Sequence, residues 1–423
     1  MMKFQFLLIA ALAVITCKSA VAVTNIADSE FLISFWVAPP MSEPREMRIA
    51  EIAEANFTVF AHFCCDAPSV KENLEILDLC KKHGLKAIIS DKRVMAKDSK
   101  DSEFEKNLDS VVADYSKHSA LYGYTMVDEP GPGAFPELGA ISQYLLKKDP
   151  IHVPYINIFP NYVEDYPWAI GNVPYTEHVK QYMAVVKPAL LSYAHYALFD
   201  GYERDRYFEN LETIRSAAMQ ASIPWANIIL ATPHFNYRNP NLADLRWQVY
   251  TTLAYGARGI IYFTYWTLGP DPSVNFHNGI LDDKGNRTEH YEMVKQINSE
   301  IKALAPTLLK LKSTGVYHNG RVPKGAQALP EGTIVKSVKG ADMVIGLFEG
   351  PNKSKWVMLA NRSPRKEARA VVTFSVPRAI VKETSRVTGR QRVLNVSSDS
   401  MPPVLNLTFK QGEGRLFSLT ASK

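Results

Sequence analysis

LADLRWQVYTTLAYGARGIIYFTY, residues 242–265, carries one complete repeat of the pattern that decides the fold. Leu242–Tyr255 is an amphipathic helical stretch, turn residues follow it, and Gly259–Tyr265 is a short apolar run rich in β-branched and aromatic side chains. A helix that feeds such a run belongs to a parallel sheet with crossover helices. The same alternation extends from about residue 30 to residue 312. Eight runs read as strands: Phe31–Ala38, Phe57–Cys64, Lys86–Ser90, Leu121–Val127, Tyr155–Phe159, Leu191–Tyr196, Asn227–Thr232 and Gly259–Tyr265. Helical stretches such as Arg45–Ala55, Val70–His83, Phe135–Lys148 and Asp205–Ala221 lie between them. Eight β/α units fit a closed (β/α)8 TIM barrel better than an open doubly wound sheet. No Gly-rich phosphate fingerprint follows the first run, which argues against a dinucleotide fold.

After the helical stretch Tyr291–Leu311 the character changes to short alternating strands separated by Gly, Asn, Pro and Ser turns, as in Met343–Phe348 and Ala368–Phe374. Residues 313–423 therefore read as a small C-terminal all-β sandwich, an accessory unit on a barrel spanning 23–312. Its plainest role is a structural appendage, and its alternative role is carbohydrate binding. Residues 1–22 read as a secretory signal peptide: Lys3, an apolar run from Phe4 to Ile15, and small residues ending at Ala22. Export follows, to a secreted or periplasmic location, with Cys17 as the alternative site of a lipid anchor. No later run approaches the length of a membrane span. Cys64, Cys65 and Cys80 remain after cleavage, an odd number that cannot complete a disulfide framework. The net charge of +5 is spread over interleaved acids and bases, so no nucleic-acid partner is expected.

In such a barrel the reactive groups sit where strands end and βα loops begin. The fourth run continues Val127-Asp128-Glu129-Pro130, which places two adjacent carboxylates at that rim before a Pro-Gly-Pro-Gly turn. Successive strand residues point to opposite sides, so only one of the pair projects into the mouth unless a bulge intervenes. The plainer reading is that these acids cap a helix or hold a loop arginine. His62 and Asp66 flank the end of the second run, Asp91, Lys92 and Arg93 follow the third, Asn157 and Asn161 the fifth, and Tyr193, His195 and Asp200 the sixth. Sugar hydroxyls need such a mixture of donors and acceptors, while ring faces lie on aromatics. Taken singly, each histidine reads first as a structural residue. Tyr265 and Trp266, at the end of the eighth run, are the best stacking platform, unless they belong to the barrel core. His62 with Asp66, or His195 with Asp200, offers metal ligands, but no paired-His spacing occurs, so no metal or other cofactor is expected.

Three stretches carry a family resemblance: Gly-Tyr-Thr-Met-Val-Asp-Glu-Pro at 123–130, residues 246–260 leading into Tyr-Phe-Thr-Tyr-Trp at 262–266, and Gly-Ile-Leu-Asp-Asp-Lys-Gly-Asn-Arg-Thr at 279–288. They resemble the glycoside hydrolases of the large retaining (β/α)8 clan, most of all relatives of the family 42 β-galactosidases. The resemblance implies that Glu129, closing the fourth strand, is the acid/base. It puts Asp128 where the clan has an Asn that bonds the sugar 2-hydroxyl, which exchanges a neutral donor for an acceptor. The clan's nucleophilic glutamate closes the seventh strand, yet residues 226–237, ANIILATPHFNY, contain no carboxylate.

The expectation is thus an exported glycosidase cleaving an oligo- or polysaccharide with Glu129 as general acid. Asp91 and Asp200 are the candidates for the second carboxylate, with inversion the expected outcome. Asp128, His62, Asn157, Tyr193, His195, His234, Tyr265 and Trp266 are the candidates for substrate binding. A second class of function is open as well: a catalytically silent barrel that binds glycans, which the seventh strand favours.

Overall fold

A computed structural model describes residues 25–63, 67–94, 103–394 and 402–421. The signal-peptide segment, Cys17, Cys64, Cys65 and Asp66 lie outside the described residues. Eight parallel strands form one sheet: Leu32–Trp36, Val59–Ala61, Lys86–Ser90, Leu121–Asp128, Val153–Ile158, Leu191–Ala194, Trp225–Leu230 and Gly259–Phe263. They neighbour one another in chain order, and the eighth returns to pair with the first. Thr58 bridges the seam between the first and second strands. Its N–H donates to Ile33 O at 3.0 Å, and its hydroxyl donates to Phe31 O at 2.7 Å and accepts from Ile33 N at 2.9 Å. The chain is a TIM barrel followed by a β domain, as the alternation of runs predicts.

Each strand is followed by a helix: Arg45–Glu54, Val70–Lys82, Phe104–Tyr115, Phe135–Lys148, Tyr175–Val186, Tyr207–Ala221, Leu242–Ala254 and Glu289–Leu308. Local signals fix several starts. Ser69 and Glu72 make a reciprocal capping box, and Asn241 with Asp244 makes another. One helix departs from its sequence reading. Leu242–Ala254 looks like a surface helix with one apolar face, yet every residue from Asp244 to Ala254 is buried. The C-terminal sheet covers its outer side: a β-carbon on Gly346 would meet Ala254 O at 2.1 Å, and Trp247 Nε1 donates to Arg362 O at 2.9 Å. Two polar side chains of that helix meet the last barrel helix: the Tyr250 hydroxyl donates to Glu300 at 2.7 Å, and Arg246 pairs with the same carboxylate.

The C-terminal part has a six-stranded antiparallel sheet facing a three-stranded one made of Val335–Gly340, Ala368–Phe374 and Val404–Phe409. A separate core of Ile345, Val357, Leu359, Val372, Phe374 and Phe417 fills the space between them. Among the described residues no helix is long and apolar enough to cross a membrane.

Candidate active site

The fourth strand contains the bulge that decides where its two acids point. Thr125 pairs with Tyr155 and Val127 with Ile156, so Met126 is an extra residue on that strand. Past the bulge Asp128 lies opposite Asn157, whose side-chain amide donates to Asp128 Oδ1 at 2.9 Å. The Glu129 N–H donates to Asn157 O at 2.8 Å. Glu129 has a φ of 44°, in the left-handed region that side chains with a β-carbon disfavour. Extra residue and turned backbone together replace the simple alternation of a flat strand. Tyr196 lies within electrostatic reach of both carboxylates.

Their environments differ. Burial raises the Glu129 carboxyl, and the neighbouring Asp128 charge raises it further, from the ordinary 4.5 to about 8. Asp128 is raised by burial too, but the Asn157 amide and the Glu129 N–H stabilise its charge and oppose the rise. Asp128 keeps solvent access by surface area even so. The two facts are compatible because a carboxylate on the wall of an open mouth touches water on one side and loses hydration on the others. At neutral pH a carboxyl held at about 8 keeps its proton, so Glu129 is the proton-bearing member of the pair.

Aromatic rings flank the pair. Trp36 stacks on Phe63 and Phe63 on Tyr155, each at 4.4 Å between centroids, and Tyr155 lies within electrostatic reach of Asp128. The Tyr155 hydroxyl shares a hydrogen bond with Ser192 at 2.8 Å. On the other side Arg204 lies 4.0 Å over the Tyr162 ring and donates to the Tyr237 hydroxyl at 3.1 Å, and Tyr162 lies within electrostatic reach of Glu129. The strongly exposed aromatic side chains are Tyr166, Trp168, Tyr202 and Phe235, at 61, 74, 55 and 64%. All four stand on the loops after strands five, six and seven, so the rim beside Glu129 is where this molecule shows flat apolar faces to water.

The other sequence candidates are distributed unevenly. Asn157 joins the pair directly. His62 is buried at the end of the second strand, where burial lowers its pKa and its carbonyl accepts from the Thr125 hydroxyl at 3.2 Å. His234 ends the seventh strand, with Nδ1 against Thr232 O at 2.8 Å and its ring among Tyr196, Tyr237, Phe263 and Phe276. Tyr193 and His195 are buried and face the helical layer: Tyr193 lies beside Trp225, and His195 Nδ1 meets Asn210 Oδ1 at 2.8 Å. Tyr265 packs on Phe35 and Phe57, and Trp266 lies buried under the Arg48 guanidinium at 5.1 Å. Asp91 is held by Arg93, through Nε at 3.0 Å and Nη2 at 2.7 Å, and by the Tyr115 hydroxyl at 2.8 Å, which keeps it below the usual carboxylate range despite its burial. Asp200 is exposed in the two-residue turn between Leu198–Phe199 and Tyr202–Glu203. Asp128 is the carboxylate whose charge acts on Glu129 among the described residues.

Sequence reasoning passed over Trp36, Phe63, Tyr155, Tyr162, Tyr196 and Arg204. Four of these stand at or just past the ends of predicted runs, so a scan of every strand end for aromatics would have found them. A cavity of about 620 Å³ lies elsewhere, between the helices Tyr175–Val186 and Tyr207–Ala221. It is a gap on the outer helical ring, and its acids are engaged locally: Glu209 pairs with Arg206 and Glu212 with Arg215.

No protein-family model matches the chain, and no curated protein does. Solved structures do. A protein described as a glycoside hydrolase is similar with a TM-score of 0.57 at 11% identity, covering 93% of each chain. A glycoside hydrolase of family 5 from Bacteroides vulgatus ATCC 8482 is similar with a TM-score of 0.54 at 10% identity, covering 92% of this chain and 89% of that one. A β-galactosidase from the psychrophilic Marinomonas ef1 has a TM-score of 0.50 at 12% identity, and the alignment covers 67% of this chain and 62% of that one. At such identities the likeness is one of fold, and these folds are TIM barrels of glycoside hydrolases.

Proposed function

We propose that this chain is an exported glycoside hydrolase that cleaves a glycosidic bond in an oligo- or polysaccharide, with Glu129 as general acid. The observation that carries the reading is a carboxyl at the end of the fourth barrel strand whose pKa of about 8 keeps it protonated at neutral pH. A leaving alkoxide needs such a proton donor. Asp128, the Asn157 amide and the rim of exposed rings supply the polar and flat surfaces that a sugar needs. Asp91 and Asp200 enter this reading as scaffold, since one is engaged by Arg93 and Tyr115 and the other stands in an exposed turn. In the same reading residues 1–22 are removed on export, 23–312 form the catalytic unit, and 313–423 brace the seventh helix.

The test is a screen of the mature protein on glycans and aryl glycosides with Glu129→Gln beside it. Glu129-dependent hydrolysis of any member supports the reading, and equal activity of the two proteins removes Glu129 from the role. The lack of a carboxylate in residues 226–237 favours a second reading, a silent glycan-binding barrel. Binding without turnover in the same screen selects it.

A further inference from the structure

We infer that the substrate itself supplies the nucleophile: the bond cleaved is a 1,2-trans glycoside of a 2-acetamido sugar, whose carbonyl oxygen attacks the anomeric carbon while Asp128 holds the amide N–H. This rests on the reading of Glu129 as general acid. Glycoside cleavage needs a nucleophile or an activated water on the face opposite the acid, and substrate assistance is the recognised alternative to a second protein carboxylate. Here the seventh strand and its loop start contain no Asp or Glu. Asp91 is engaged by Arg93 and Tyr115, Asp200 lies exposed in a turn, and Asp128 is the carboxylate that acts on Glu129 among the described residues.

Asp128 is badly placed to be that second carboxylate. Consecutive Cα atoms are about 3.8 Å apart, and the two acids leave the backbone side by side at one strand end, so a sugar ring cannot lie between them with Glu129 on one face and Asp128 on the other. It is well placed for the N–H of the 2-substituent, because C2 is bonded directly to the anomeric carbon: the trans amide turns its carbonyl oxygen under the ring, opposite the leaving oxygen, while its N–H stays one ring bond away from the carbon whose leaving group Glu129 protonates. An ionised Asp only accepts hydrogen bonds, and an amide N–H only donates. Asp128 Oδ1 already accepts from Asn157, which fixes the carboxylate plane and leaves Oδ2 for that N–H. The Tyr155 end of the Trp36–Phe63–Tyr155 stack lies within electrostatic reach of Asp128, so the acetamido methyl would turn toward that apolar wall.

The chemistry balances without a further reagent. The amide carbonyl oxygen forms a bond to the anomeric carbon as the exocyclic C–O bond breaks. The electron pair leaves with the exocyclic oxygen, which takes the Glu129 proton. Positive charge on the resulting oxazolinium is offset by Asp128 through the N–H. Water then attacks the anomeric carbon and gives a proton to the Glu129 carboxylate, the ring C–O bond opens back to the amide, and the sugar leaves with retained configuration. Retention is the opposite of the inversion expected from sequence.

The experiment compares 4-nitrophenyl 2-acetamido-2-deoxy-β-D-glucopyranoside and its galacto isomer with the corresponding β-D-hexopyranosides, using the mature chain. The first-formed anomer is read by NMR, and inhibition is measured with the methyl-thiazoline analogue of the 2-acetamido sugar. The expected results are cleavage of the acetamido substrates only, a retained anomer, and competitive inhibition by the thiazoline. Asp128→Asn should lower kcat on the acetamido substrates by about 10²-fold, and thiazoline inhibition of the wild type reads the same site without a variant. Comparable Glu129-dependent cleavage of the plain hexosides, or an inverted anomer, overturns the inference and leaves the glycosidase reading standing. Absence of cleavage of every glycoside, including the wider panel, overturns both.

Discussion

The ends of the fourth and seventh strands occupy comparable positions in the barrel and have been built for different work. The fourth ends in a bulge, a residue at positive φ and two acids, one of them protonated at neutral pH. The seventh ends in Ala231, Thr232 and Pro233, then a histidine enclosed by aromatic rings and tied to the Thr232 carbonyl. In a barrel that uses two protein carboxylates, both ends carry charge. Here one end carries two carboxyls and the other carries none in residues 226–237, so the barrel geometry does not by itself imply the machinery of a two-carboxylate glycosidase.

The sharpest way to break this comparison is at the acid. Glu129→Gln should fold and bind ligand normally and lose ~10²–10⁴-fold in kcat, measured by steady-state kinetics on a substrate with a poor leaving group. At the other end, His234→Gln should keep kcat above that range, because burial lowers the imidazole pKa and its Nδ1 is engaged by backbone. A loss as large as that of Glu129→Gln would make His234 an acid–base group and erase the asymmetry.

The rim sharpens it further. Trp168→Ala should raise KM on long-chain substrates about tenfold with kcat unchanged, since stacking on a remote ring is equally strong in the ground and transition states. Equal KM for short and long substrates in both proteins would remove the ring from the binding path.

A smaller effect concerns pH. The proton on Glu129 is needed for the first step, so kcat/KM should fall as pH rises through about 8, where that proton is lost from the free enzyme. The Asp128 charge is the second cause of the raised pKa, after burial. Residual activity of Asp128→Asn should therefore lose its alkaline limb at lower pH than the wild type. A limb that does not move would mean that burial alone sets the Glu129 pKa.

The sequence by itself determined the eight-fold alternation, the change to β structure after the last barrel helix, and the carboxyl pair at the fourth strand end. Those features are periodicities and neighbours in the chain, which one strand or helix displays without help. Tertiary structure decided the rest. Which face of the sheet Asp128 takes depends on the Met126 bulge, and how Glu129 leaves the strand depends on its positive φ; the bulge is a property of pairing with the fifth strand and leaves no mark in the fourth strand alone. Tyr193, His195 and Tyr265 looked like rim residues by position, yet parity along their strands and loops turns them toward the helices, where Trp225, Asn210 and Phe57 receive them. Leu242–Ala254 looked like a surface helix because its outer side chains find their partners in Glu300 and Arg362, which lie fifty residues or more away in sequence. Side-chain direction and the identity of distant partners are set by packing, and packing is what a linear reading of one chain cannot contain.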